Sequence, residues 1–306
     1  MSKPRRERRA VSGVLLLDKP LGVSSNGALQ KARWLYTAAK AGHTGVLDPL
    51  ATGLLPVCFG EATKFSSYLL DADKAYRATV KFGVVTTTGD AEGEVVKERP
   101  VDIRPEGLAE ACAHFSGPIR QVPPMYSALK FEGRALYEYA RAGVEIERKA
   151  RDVIIHSIAV VEFAGDVAVI DVVCSKGTYI RTLAEDIGER LGCGAHLIGL
   201  RRTATAGFSL AAAHTLEAIE ALEPAGRDAL LLPMDVLVGH LPEVAIDETA
   251  AARFVHGQAV RDPQNHAIMS RFRVYRQATR EFMGLAERKP DGFLHPLRLV
   301  AANAAA

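Results

Sequence analysis

Val153 to Phe163 and Val167 to Cys174 are two runs of β-forming residues with only Ala164-Gly165-Asp166 between them. That is a hairpin signal. Beyond them, Ile180, Leu183, Ala184, Ile187 and Leu191 recur on one helical face, with Thr178 at its start and Gly192 and Gly194 just past its end. Strands and helices therefore mix without strict βαβ alternation, which favours a mixed sheet in an α+β fold over a doubly wound one.

The N-terminal half adds elements of the same kind. Val14 to Leu17 reads as a short buried strand, and Ser24-Ser25-Asn26 offers N-cap chemistry for a helix presenting Leu29, Ala32, Tyr36 and Ala39. Residues 41–53 read as a loop, Leu54 to Phe59 as a strand and Glu61 to Leu70 as a helix. Tyr76, Ala78, Val80 and Phe82 alternate with Arg77, Thr79 and Lys81, the period of a half-buried strand. Residues 106–115 read as a helix, and residues 118–151 have weak periodicity but many basic and aromatic side chains.

With 306 residues, 48% hydrophobic and 24% charged, the chain has an ordinary globular composition and can bury a substantial core. Its net charge of +2 does not announce a nucleic-acid binder, so local charge matters more. Cys58, Cys112, Cys174 and Cys193 form no CxxC pair and lack the histidine spacing of a zinc site. They read as small buried residues of a reducing cytoplasm. Lys3, Arg5, Arg6, Arg8 and Arg9 precede Val14 to Leu17 as in a signal peptide, but Asp18-Lys19-Pro20 ends the apolar run at once. The expectation is a basic flexible arm over residues 1–10 of a cytoplasmic protein, with no membrane span. Charges from Leu216 to Asp247 are nearly all acidic, whereas Arg253 to Arg298 holds nine Arg/Lys against four Asp/Glu. A boundary near residue 240 therefore separates a main domain, 11–240, from a small β-rich module, 241–306.

Taken alone, Asp48-Pro49 is a plausible helix start, since Asp caps well and Pro suits the first turn. Its surroundings change that reading. The segment from Gly42 to Val57, containing His43-Thr44-Gly45-Val46-Leu47-Asp48-Pro49-Leu50-Ala51-Thr52-Gly53, resembles the catalytic motif of the TruB family, the bacterial tRNA pseudouridine-55 synthases. Leu17 to Ser25 resembles the family's Lys-Pro motif and Asp73 to Arg77 its tyrosine motif. Pro123 to Lys130, Cys174 to Arg181 and Leu197 to Arg202 match in the same order. The resemblance implies a pseudouridine synthase domain, with a mixed sheet flanked by helices, followed by a PUA-like RNA-binding β-barrel. Phe282-Met283-Gly284 and His256-Gly257-Gln258 are the best points of the looser tail match.

The resemblance assigns roles. Asp48 becomes the catalytic nucleophile and Arg181 its ion-pair partner. A cation there would hold the carboxyl pKa down, and an arginine in the first turn of a helix needs such compensation against the helix dipole. The alternative partner for Arg181 is Glu185, one turn on. Tyr76 would stack on the target base and assist proton transfer. His43, Tyr179 and Leu200 would contact substrate, and Lys19 and Pro20 would be structural neighbours of the pocket. The implied reaction moves the ribose from N1 to C5 of uracil, so it calls for no cofactor and no metal. Uracil leaves as a delocalised anion, so one carboxylate can suffice where glycosidases use two.

The implied partner is tRNA, bound through its T-loop and arm, with the target uridine flipped from its stack and the C-terminal module near the acceptor stem. Residues 118–151 correspond to the family's RNA-clamping insertion, with Arg120, Lys130, Arg134, Arg141, Arg148, Lys149 and Arg151 among Tyr126, Phe131, Tyr137 and Tyr139. A monomer without guide RNA is expected. The competing reading is an RNA-binding, tRNA-folding protein that modifies nothing.

Overall fold

The computed structural model describes residues 7–301. In chain order its strands and helices begin with β1 (Gly13–Lys19), α1 (Ser25–Leu35), β2 (Ala41–His43), β3 (Ala51–Phe59), β4 (Lys74–Phe82), β5 (Val84–Thr86), β6 (Val95–Glu98), α2 (Pro105–His114) and β7 (Gly117–Gln121). There follow β8 (Lys130–Phe131), β9 (Arg134–Ala135), α3 (Leu136–Arg141), β10 (Arg151–Ala164), β11 (Val167–Cys174), α4 (Ile180–Arg190), β12 (Ala195–Thr205), β13 (Phe208–Ser209), β14 (His214–Thr215), α5 (Leu216–Ala221) and α6 (Pro224–Asp228). The last are β15 (Glu243–Ile246), α7 (Glu248–Phe254), β16 (Val260–Arg261), β17 (Arg271–Arg276), β18 (Phe282–Arg288) and β19 (Phe293–Leu299).

The expected hairpin is β10–β11, and it belongs to a ten-stranded mixed sheet of order β14-β1-β3-β12-β4-β11-β10-β7, with β13 on β12 and β2 on β3. Two pairs are parallel, β1 with β14 and β3 with β12. The second decides where the site lies. Its register sets Leu200 beside Ala51 and Arg202 beside Gly53, while on the other side of β12 Leu200 faces Ala78 and Arg202 faces Tyr76. The start of β3, the middle of β12 and the tyrosine end of β4 are thus neighbours. Gly53 permits the contact, since a Cβ there would stand 2.4 Å from the Arg202 carbonyl oxygen, and its φ of +100° is one that other residues avoid.

Val14 to Leu17 shows no alternation because β1 is covered on both faces. Leu15 and Leu17 join a core with Ala28, Leu29 and Ala32 of α1. Val14 and Leu16 join a second core with Phe65, Leu237 and Leu285. Burying a side chain of this size stabilises by roughly 1.5–3 kcal/mol. β4 has one such face, with Tyr76, Ala78, Val80 and Phe82 buried and Arg77 and Lys81 turned outward. The C-terminal strands form a separate five-stranded sheet, β15-β17-β18-β19-β16, around its own core. Leu285 of β18 ties it to the main sheet, as do Lys64 Nζ donating to the Leu299 carbonyl (3.0 Å) and Ala301 N donating to Glu61 (2.7 Å).

Several local expectations change. In place of the expected α-helix over 61–70, two 3₁₀ turns, Gly60–Lys64 and Ser66–Leu69, meet at buried Phe65. The loop 41–53 contains β2 and the first residues of β3. α1 ends at Leu35, and Thr37 adopts positive φ, leaving Ala39 exposed beyond it. Thr178 does not cap α4; Tyr179 occupies that position and its side chain makes no capping bond. The basic arm lies outside the described residues as far as residue 6. Arg9 is held in place, donating two hydrogen bonds to Asp228 (2.7 and 2.8 Å). All four cysteines are buried and unbridged. Among the described residues no helix is long and apolar enough to cross a membrane.

Candidate active site

The loop leading into β3 is pinned by backbone and side-chain bonds. Ser25, at the start of α1, donates its hydroxyl to the Leu47 carbonyl (2.9 Å) and accepts from the Leu47 N–H (2.7 Å). Gly22 N donates to the Pro49 carbonyl and Thr44 N to that of Pro56. Ala51 N donates to the Asp48 carbonyl (3.0 Å), so Asp48-Pro49 makes a turn into a strand and starts no helix. These bonds fix the Asp48 side chain at the edge of a cavity of about 320 Å³.

Asp48, Tyr76, Tyr179, Arg181 and Leu200 all line that cavity. Arg181 is buried, and its Nη2 lies 3.0 Å from Asp48 Oδ2. Its remaining donors reach the carbonyls of Thr88 (2.9 Å) and Tyr126 (2.7 Å), and Nη1 lies 3.5 Å from Asp90 Oδ2. Glu185 is not an ion-pair partner of Arg181. The unfavourable place of Arg181 in the first turn of α4 is therefore offset by two carboxylates and two carbonyls. Asp90 is fixed in turn, accepting from the Thr88 hydroxyl (2.6 Å) and the Glu92 N–H (3.1 Å).

The electrostatics differ from expectation in one respect. Burial pushes the Asp48 carboxyl above its ordinary value, and Asp90 adds to the rise, while Arg181 and Lys19 oppose it. The cation moderates the shift without reversing it. The result is a more basic and hence more nucleophilic carboxylate. Burial also raises the Tyr76 phenol, which favours its neutral form, with Arg202 the largest opposing influence.

Tyr179 is set by Gln121, whose side-chain amide bonds both the N–H and the carbonyl of that residue (3.0 and 3.3 Å). His43 lines a second cavity, of about 460 Å³, which shares Asp48 and Arg181 with the first. Burial pushes its imidazole down, and its Nδ1 is buried without a hydrogen-bond partner. Lys19 and Pro20 line neither cavity. Lys19 is fully buried, donates to the carbonyls of Pro20 and Val23, and is pushed down to about 8 by burial.

Three side chains of the site carried no assigned role in the sequence. Asp90 buttresses Arg181, and Lys74 and Arg202 line the cavity beside Asp48. For Arg202 a signal existed, because it lies two residues after Leu200 on a strand and so shares its face. For Asp90 nothing in Thr86 to Gly93 marks a partner on a distant helix.

Ser127 and Ala128 form a wall common to both cavities. Beyond them the β8–β9 hairpin and α3 present Phe131 and Tyr137 to solvent. Arg134 stacks on Tyr139 (4.9 Å) and Arg141 on Tyr137 (5.3 Å).

Three family models match successive parts of the chain. A model described as TruB family pseudouridylate synthase (N terminal domain) matches residues 33–180. One described as tRNA pseudouridylate synthase B C-terminal domain matches 181–239, and one described as Pseudouridine synthase II TruB, C-terminal, matches 242–300. A Chromobacterium violaceum protein named tRNA pseudouridine synthase B is 64% identical over 306 residues, covering 100% of both chains. Its namesake from Neisseria meningitidis serogroup B is 56% identical, again over 100% of both. The crystal structure of a Cbf5-Nop10-Gar1 complex contains a chain 26% identical to this one, with a TM-score of 0.71, covering 94% of this chain and 84% of that one. The chain belongs to the TruB family of pseudouridylate synthases.

Proposed function

We propose that this enzyme isomerises uridine 55 in the T-loop of tRNA to pseudouridine, with Asp48 as nucleophile. The observation that carries this reading is the Asp48–Arg181 pair at the edge of a cavity lined by Tyr76, Tyr179 and Leu200. Its volume suits one nucleoside, and the full-length relatives are named for tRNA.

The target nucleotide enters base first after flipping, at a cost of a few kcal/mol. Asp48 meets C1′ as the C1′–N1 bond breaks, and the bonding pair leaves with the base. The uracil anion turns between Tyr76 and Leu200 and bonds to C1′ through C5, releasing Asp48. C5 then loses its proton and N1 gains one, so the product is an isomer of the substrate. A neutral Tyr76 phenol suits a relay, accepting the C5 proton while passing on its own. Arg181 keeps Asp48 oriented, and Asp90 keeps Arg181 in place.

The exposed Arg–Tyr stacks of residues 130–141 suit a clamp on RNA. Exposed Arg261, Lys289 and Arg298 give the C-terminal sheet, which we assign to the PUA type, positive charge for the acceptor stem. Every group the reaction calls for comes from one chain, which suits a monomer working without guide RNA.

A tRNA transcript incubated with the enzyme and mapped by carbodiimide-adduct primer stops tests the assignment. Pseudouridine should appear at the T-loop uridine alone. Tight binding with no modification would favour an RNA-folding role instead, and modification elsewhere would contradict the site.

A further inference from the structure

Arg202 is a buried cation without a counter-ion. The residue is 1% exposed, Nε donates to the Leu54 carbonyl (2.7 Å), and the guanidinium's other polar neighbour is the neutral Tyr76 hydroxyl. Nη2 is buried with no partner, and among the described residues no Asp or Glu oxygen lies within ion-pair distance of it. The basic groups around it offer no relief, because Arg202 disfavours the charged forms of His43, Lys19 and Lys74 alike. An unpaired buried guanidinium is costly unless something compensates it.

The cavity that Arg202 lines has four charged side chains, Asp48, Lys74, Arg181 and Arg202. Asp48 and Arg181 satisfy each other. Lys74 donates to the carbonyls of Leu70 and Ala72, and among the described residues no Asp or Glu lies within ion-pair distance of it. The guanidinium borders the cavity beside Gly45. A Cβ there would stand 3.5 Å from Nη1, and the φ of +95° at this position favours glycine as well.

A uridine entering this cavity is neutral, and its base acquires negative charge only when the C1′–N1 bond breaks. The electron pair then spreads over N1, O2 and O4 until C5 forms the new bond to C1′. We propose that Arg202 is a catalytic residue that stabilises this departing uracil anion, acting as a preorganised cation aimed at charge that develops during the reaction. The inference rests on the reading of the cavity as the uridine pocket. The base is a better occupant than the backbone phosphate because it enters first, and Arg202 is the deepest cation, between β3 and β4 with Tyr76 and Leu200 beside it. Half-buried Lys74 is better placed for a phosphate following behind.

Single-turnover loss of the N1-linked nucleoside tests this, using transcripts with uridine or 5-fluorouridine at the target position. Fluorine withdraws electrons and stabilises the anion without help from the protein. Arg202→Met should therefore slow uridine by about 100-fold but 5-fluorouridine by only about tenfold, with tRNA affinity and its salt dependence unchanged. Arg202→Lys should fall between wild type and Met on both substrates, and it carries the test if the Met variant does not fold. Equal losses on the two substrates would overturn the proposal, as would no loss. So would weakened binding with a shallower salt dependence, which would make Arg202 a phosphate contact. Failure of wild type to convert uridine would overturn the uridine-pocket reading along with it, whereas wild-type turnover with equal losses would overturn the role of Arg202 alone.

Discussion

Arg181 Nη2 lies 3.0 Å from Asp48 Oδ2 at the cavity edge, and the same guanidinium is braced from behind by Asp90 at 3.5 Å. One buried cation thus serves two acids, Asp48 lining both cavities and Asp90 the second alone. Arg181→Met would strand the buried Asp90 carboxylate, so it should lower stability by about 3 kcal/mol as well as reducing turnover by about 1,000-fold. Asp90→Asn keeps the bonds from Thr88 and Glu92 but loses the charge, and should reduce kcat by about tenfold with KM unchanged. Single-turnover kinetics and chemical denaturation of both variants check this.

Tyr76 is buried on the apolar face of β4, so Phe fits its site. Tyr76→Phe should bind tRNA within about twofold of wild type while turnover falls at least about 100-fold. Normal turnover would leave stacking as the whole role of this side chain.

Much of this was legible before any coordinates. The alternation of Tyr76 to Phe82 and the hairpin at Ala164-Gly165-Asp166 give a direct local signal, since each is set by neighbouring residues. Val14 to Leu17 did not reveal its two cores, because a continuous apolar run looks the same whatever covers it. The three- and four-residue spacing of Ala62, Phe65 and Leu69 fits α and 3₁₀ turns alike. Asp48 was legible only through the motifs around it. Asp90 and the unpaired state of Arg202 depend on which distant strands and helices come together, and composition does not encode that.

Glu185, on α4 below Arg181, is pushed up to about 7 from 4.5, chiefly by burial and by Asp186. The folded state thus holds this proton more tightly than the unfolded chain. Its contribution to stability is fully present below about 4.5 and is lost as pH rises through about 7. Glu185→Gln should remove this loss, so the variant should gain on wild type as pH rises across that window. Thermal melts of the two proteins at several pH values check the sign.

Leu285 carries the C-terminal sheet into the core formed by Phe65, Leu16 and Leu237. Leu285→Ala should cost about 3 kcal/mol, measured by denaturant unfolding, and should loosen the C-terminal sheet from the main one without abolishing turnover on a T-arm fragment.

On the proposed mechanism, isomerisation depends on the Asp48 carboxylate. Tritium release from tRNA labelled at uracil C5 measures it, comparing wild type with Asp48→Asn. Release is expected from wild type and none from the variant, with tRNA binding retained by both. Release from Asp48→Asn at the wild-type rate would contradict it.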